Sequence, residues 1–156
     1  LRSLEPGLVA GSPTVLYVGS IFNRRHLPDL IRAFAPLTAH APFPRLEIVG
    51  DNRSFPYEDL HAIIEDAGVT PYARWRRYVS DDALAALYHD ARAFAFLSEY
   101  EGFGLTPLEA IAAGVPVLLL DTPVARETCA DAALYDAKRA GRNRVISDDA
   151  PRGAVS

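Results

Sequence analysis

Methionine is absent from the sequence and cysteine almost so. With no methionine in 156 residues, residue 1 is not an initiator, and the expectation is a piece of a longer polypeptide. The one cysteine, Cys129, excludes an internal disulfide and a thiolate zinc site. It fits a reducing compartment and reads as a small packing residue. His40, His61 and His89 share no metal-ligand spacing with carboxylates. No apolar run reaches the length of a membrane span, and no charged-then-apolar leader opens the chain. No integral membrane segment is therefore expected. Excess positive charge is missing too. The formal net charge of −4 argues against a general nucleic-acid surface.

What is present is enough material for a core. Hydrophobic residues make up 49% and charged residues 23%, a balance that folds rather than stays disordered. The length suits one domain. Residues 1–13, with two prolines and two glycines, read as a linker. Strands are expected at 14–18, 45–50, 74–79, 93–97 and 117–120, β-rich or apolar runs of which the first two close on Gly19 and Gly50. Helical spacing appears in Leu30, Ile31, Phe34 and Leu37, with Pro36 set to end or kink that helix. Leu60, Ile63, Ile64 and Ala67 form a second face, stopped at Gly68. Ser80 caps a third helix with Asp81 and Asp82 in its first turn, and Leu84, Leu87 and Tyr88 give that helix its face. A fourth helix spans 106–113, with Gly114 and Pro116 after it. Strands that are apolar throughout, alternating with helices, predict an α/β fold: a doubly wound, Rossmann-like parallel sheet with helices on both faces. Trp75 and Tyr78 are expected to pack on the sheet, His26 to be solvated and Asp51 to serve a turn.

Chemistry concentrates where the fourth strand meets the fourth helix, at Glu99-Tyr100-Glu101-Gly102-Phe103-Gly104-Leu105-Thr106-Pro107-Leu108-Glu109. Glu101 and Glu109 bracket the turn with seven residues between them. Gly102 and Gly104 allow positive φ or a close approach to a ligand. A helix starting near Thr106 would aim free N–H groups and a positive dipole end at phosphate or sugar oxygens. A structural reading is equally open on pattern alone. Thr106-Pro107-Leu108-Glu109 has the form of a capping box, with Pro at the first helical position and Glu three residues after the cap.

Together with Ala110-Ile111-Ala112-Ala113-Gly114-Val115-Pro116-Val117, this block resembles the donor-binding, C-terminal domain of retaining GT-B glycosyltransferases, which carry two glutamates spaced in this way. Tyr17-Val18-Gly19 before a basic loop, Leu46-Glu47-Ile48-Val49-Gly50, and Val79-Ser80-Asp81-Asp82-Ala83-Leu84 follow that family's order. The similarity covers about residues 14–135. It implies one half of a GT-B fold, with a nucleotide-diphosphate sugar of the GDP-mannose or UDP-hexose class as ligand. It also implies a separate N-terminal, acceptor-binding domain as partner and no metal or other cofactor. By position, Glu109 would hydrogen-bond the ribose and Glu101 the donor sugar. Gly102, Phe103, Gly104, Leu105 and Thr106 would line the sugar and diphosphate. Arg24 and Arg25, after Gly19, would neutralise the diphosphate leaving group, where cleavage builds negative charge. Tyr78 and Val79 would meet the nucleobase, chiefly by backbone. Two positions depart from the family pattern. Arg25 stands where lysine is commoner, and Ser20 where many members have arginine. The implied location is cytoplasmic, or peripheral at the membrane in a full-length protein.

The end of the chain follows a different pattern. Ala133-Leu134-Tyr135-Asp136-Ala137-Lys138 and Gly141-Arg142-Asn143-Arg144-Val145 are similar to the close of GGDEF diguanylate cyclase domains. However, the sequence contains no Gly-Gly-(Asp/Glu)-Glu-Phe turn, so cyclase chemistry has no catalytic loop. Residues 136–156 are set apart as an atypical tail, partly disordered. Two rival readings accompany the transferase. A non-catalytic nucleotide-binding or interaction module, or a truncated remnant, fits a lone domain. A nicotinamide-dependent oxidoreductase shares the fold class, but no Gly-x-Gly-x-x-Gly follows the first strand.

Overall fold

The computed structural model describes residues 12–39, 42–99 and 105–126. The linker before Ser12, the tail beyond Arg126, Cys129, and the turn residues Glu101, Gly102, Phe103 and Gly104 lie outside the described residues. Five strands, β1 (Thr14–Val18), β2 (Arg45–Val49), β3 (Ala73–Arg76), β4 (Ala91–Phe96) and β5 (Val117–Leu119), pair in parallel in the order β3-β2-β1-β4-β5. Four α-helices connect them: α1 (Leu27–Phe34), α2 (Leu60–Asp66), α3 (Asp81–Asp90) and α4 (Leu105–Ala112).

The sheet is parallel because its central strands are apolar on both faces. Leu16, Tyr17, Leu46, Ile48, Phe94 and Ala95 are fully buried, which requires cover above and below. The chain winds outward through β1, α1, β2, α2 and β3. It then crosses back through α3 to β4, on the other side of β1. Right-handed crossovers place α1 and α2 on one face and α3 and α4 on the other. Leu30, Ile31 and Phe34 of α1, and Leu60 and Ile64 of α2, are buried at the spacing the sequence predicts. Pro36 acts as expected: α1 stops at Phe34 and a 3-10 turn, Ala35–Ala39, follows. Leu37 falls in that turn and is exposed instead of extending the helix face. Asp59 caps α2 through the His61 and Ala62 amides, and Ser80 caps α3 through the Ala83 amide.

Two boundaries differ in ways that matter. β3 ends at Arg76, so Tyr78 lies beyond the strand and is 80% exposed instead of packing on the sheet. Among the described residues β3 is an edge strand paired with β2 alone, and its ladder stops at Arg76. Trp75, by contrast, is held as expected, its indole N–H donating to the Gly50 carbonyl at 2.9 Å. Helix α4 already includes Leu105. Thr106 is therefore inside the helix, Pro107 is not its first residue, and the capping box is not formed. No helix among the described residues is long and apolar enough to cross a membrane.

The β1 and β2 exits run against each other. The Gly19 N–H donates to the Val49 carbonyl, and the Gly50 N–H to the Arg76 carbonyl. Gly50 has φ +154°, and a Cβ there would stand 1.9 Å from the Gly19 carbonyl oxygen. Both backbones are pinned by ladder hydrogen bonds, so neither can retreat. Gly50→Ala is expected to lower stability by about 3 kcal/mol or more, measured as a drop in the urea midpoint.

Candidate functional site

In the strand order, direction reverses between β1 and β4. At such a point the two loops leave in opposite senses and open a crevice beyond the carboxyl ends of the strands. The β1 exit supplies Gly19, Ser20 and a 3-10 turn, Asn23–Arg25. The β4 exit supplies Ser98 and Glu99. The sequence-predicted Gly19, Arg24 and Arg25 are brought together here.

The two arginines are not equivalent. Arg24 is exposed, its guanidinium 4.3 Å from the Phe22 ring centroid. Arg25 is 9% exposed. Its guanidinium lies 4.8 Å from the Phe96 ring and 5.5 Å from the Phe22 ring, and it donates to the Ser20 carbonyl. The position left for it is narrow. A Cβ on Gly19 would come within 2.6 Å of the Arg25 Nη1 and 3.4 Å of Phe96. Gly19, at φ +146°, is thus the floor that lets a cation lie over the strand end. Tyr17 is fully buried, stacks on Phe96 at 5.7 Å and donates its hydroxyl to the same Ser20 carbonyl. A buried cation is tolerated when ring faces and a carbonyl replace its water.

Further rings continue this layer. Phe96 stacks with Phe94, and Phe94 with Tyr88 of α3. The Tyr88 hydroxyl donates to Glu109 of α4 at 3.3 Å. Glu109 is exposed, so its carboxylate is held at one corner and open elsewhere. Burial, with the Glu109 charge added, pushes the Tyr88 phenol well above its ordinary range. Leu105 is exposed and Thr106 half-buried in the first turn of α4. Val79 packs against the core while Tyr78 projects from the end of β3, two strands out from β1.

Several contacts were not legible in the sequence. Asn23 clamps the neighbouring loop, accepting from the Phe55 amide and donating to the Pro56 carbonyl and Glu58. His26 is 32% exposed, and its ring also meets two carboxylates. Its Nε2 is 2.9 Å from Glu99 and its Nδ1 3.2 Å from Asp29. The Glu99 amide in turn donates to the Arg24 carbonyl. Nothing local in the sequence signals the contact, because Glu99 is 73 residues away. Asp51 accepts the Ile21 amide on its carbonyl, which carries the β1–β2 pairing past the strand ends rather than closing a local turn. Arg53 and Arg77 beside it hold its carboxyl below the usual range.

The family model described as "Glycosyl transferases group 1" matches residues 5–141. The chain belongs to the group 1 glycosyltransferase family. It is 33% identical over 136 residues to the O-antigen chain mannosyltransferase B of Escherichia coli, covering 86% of this chain and 35% of the relative. It is 33% identical over 114 residues to a GDP-mannose:cellobiosyl-diphosphopolyprenol alpha-mannosyltransferase of Komagataeibacter xylinus, covering 72% of this chain and 29% of that one. Among solved structures, WaaG, a glycosyltransferase involved in lipopolysaccharide biosynthesis, superposes with a TM-score of 0.64 at 26% identity, covering 78% of this chain and 32% of that one. The chain spans about a third of the length of these relatives. Its sheet is one doubly wound half of a GT-B architecture.

The Tyr88–Glu109 contact gives a test. Tyr88→Phe is expected to cost about 1 kcal/mol near neutral pH. The raised phenol favours the folded state only while it is protonated. That contribution is complete below the unfolded tyrosine value of about 10 and is lost as pH rises above it. Wild type should therefore lose stability in alkali more steeply than Tyr88→Phe, as denaturant midpoints at each pH will show.

Proposed function

We propose that this domain is the donor-binding half of a retaining glycosyltransferase. It would move a glycosyl group from a nucleotide-diphosphate sugar to an acceptor supported by a separate N-terminal domain, without a metal. The observation that carries this reading is the cation held over Gly19 at the switch point. Breaking a sugar–phosphate bond leaves negative charge on the diphosphate, and a pre-positioned guanidinium beside backbone donors stabilises it. Arg25 is fixed before any ligand arrives. Arg24, exposed in the same turn, is assigned to a second phosphate oxygen. Glu109, open apart from its Tyr88 contact, suits ribose hydroxyls. Glu101, with the amides of Gly102, Phe103 and Gly104, is assigned to the donor sugar by position in the motif. Leu105 and Thr106 bring the start of α4 to the same end of the sheet. Tyr78 and Val79 are assigned to the base edge. GDP-mannose is the favoured donor because the Komagataeibacter relative carries that donor in its name; a UDP-hexose is the alternative within the class.

Calorimetry with GDP, UDP and ADP tests this. A half-site should bind GDP with a Kd on the order of 10⁻⁴ M and turn over little or nothing alone. Arg24→Ala and Arg25→Lys should each weaken binding by about tenfold, the share of one charge-assisted contact. Absence of binding by all three nucleotides up to millimolar concentration contradicts the reading.

A further inference from the structure

His26 occupies a position that its own backbone does not favour. At φ +50° it is the only non-glycine residue with positive φ among the described residues, and glycine would adopt that conformation without a Cβ clash. Its ring nevertheless joins two separate elements. Nε2 faces Glu99 at the β4 exit and Nδ1 faces Asp29 in the first turn of α1. The ring is 32% exposed. An ionised carboxylate only accepts hydrogen bonds, and a neutral imidazole has a single N–H. Both contacts are hydrogen bonds only when both ring nitrogens carry protons.

We propose that His26 is a positioning residue of the candidate diphosphate site: as an imidazolium between Asp29 and Glu99, it fixes the Arg24–Arg25 turn against the end of β4 and neutralises Glu99. The inference rests on the donor-site reading above. Among the described residues, the groups facing the ring are Asp29 from α1 and Glu99 from the β4 exit. Arg32 donates to the second oxygen of Asp29 at 3.2 Å, so that carboxylate keeps a cation when His26 is neutral. Glu99 is different. Its amide donates to the Arg24 carbonyl, so it adjoins the turn that carries both arginines, and among the described residues His26 is the cation its carboxylate meets. With His26 protonated, that carboxylate is paired. With His26 neutral, one ring contact is lost and the negative charge of Glu99 opposes a diphosphate. Ligand affinity therefore falls as the second ring proton is lost.

The test uses the 156-residue chain and GDP, by calorimetry at steps between about pH 6 and about pH 8, the range in which an imidazole changes charge. Three proteins are compared: wild type, His26→Gly and Glu99→Gln. Glycine keeps the left-handed backbone and removes only the ring. Glutamine still accepts from Nε2 but carries no charge. The terminal phosphate of GDP titrates in the same range in all three, so the readout is the affinity ratio at each pH. Wild type should bind about five- to tenfold tighter than His26→Gly at the acid end, with the ratio falling to within about twofold at the alkaline end. Glu99→Gln should flatten the pH dependence relative to wild type. Ring ¹⁵N NMR of ligand-free wild type should show both His26 nitrogens protonated at the acid end. A His26→Gly protein that binds as wild type does at every pH, with wild-type binding intact, overturns this inference alone. A wild type that binds no nucleotide overturns the donor-site reading and this inference with it.

Discussion

A buried guanidinium sets the architecture of this domain's working end. Arg25 rests over Gly19, between the rings of Phe22 and Phe96, with the Ser20 carbonyl as acceptor. Each neighbour follows from that requirement. A side chain at position 19 would collide with the cation. Smaller residues at 22 or 96 would remove the ring faces that replace its water. Tyr17 closes the floor from below and shares the same carbonyl. Because Gly19 also lies against Gly50, the β1 and β2 exits are packed as one unit, and the cation inherits the rigidity of the sheet.

The rest of the site is arranged around that fixed charge. A layer of stacked rings runs from Tyr17 and Phe96 through Phe94 to Tyr88, and ends at the Glu109 carboxylate. Rings offer large buried surface with few rotatable bonds, so the layer holds groups from β1, β4, α3 and α4 in a common frame. Polar ties work across loops instead. Asn23 joins the β1 exit to the loop after β2, and His26 joins it to the β4 exit. Membership of the group 1 glycosyltransferases places this geometry in a family of sugar transfer enzymes, and the chain corresponds to about a third of its curated relatives.

Much of the fold was readable because its signals are local. Apolar runs such as 14–18 and 45–49 gave strands, Pro36 ended a helix, and Ser80 capped one, each decided within a few residues. For the candidate site, sequence shows which loops carry cations and acids but not what those side chains meet. What escaped was decided by distant partners. Two adjacent arginines look alike in sequence, yet only Arg25 meets Phe96, which arrives from β4. His26 looks solvated until Glu99 is brought beside it. Tyr78 continues an alternating pattern, but on an edge strand the ladder stops at Arg76. The capping box failed because α4 takes in Leu105 before Thr106; the local pattern was present and the helix started earlier than it required.

The most direct test of the central claim is a crystal structure of this chain with GDP bound. The account predicts the diphosphate over the carboxyl ends of β1 and β4, within hydrogen-bonding distance of the Arg25 or Arg24 guanidinium. A nucleotide bound elsewhere, with Arg25 still enclosed by Phe22 and Phe96 and no phosphate oxygen touching either arginine, would contradict it.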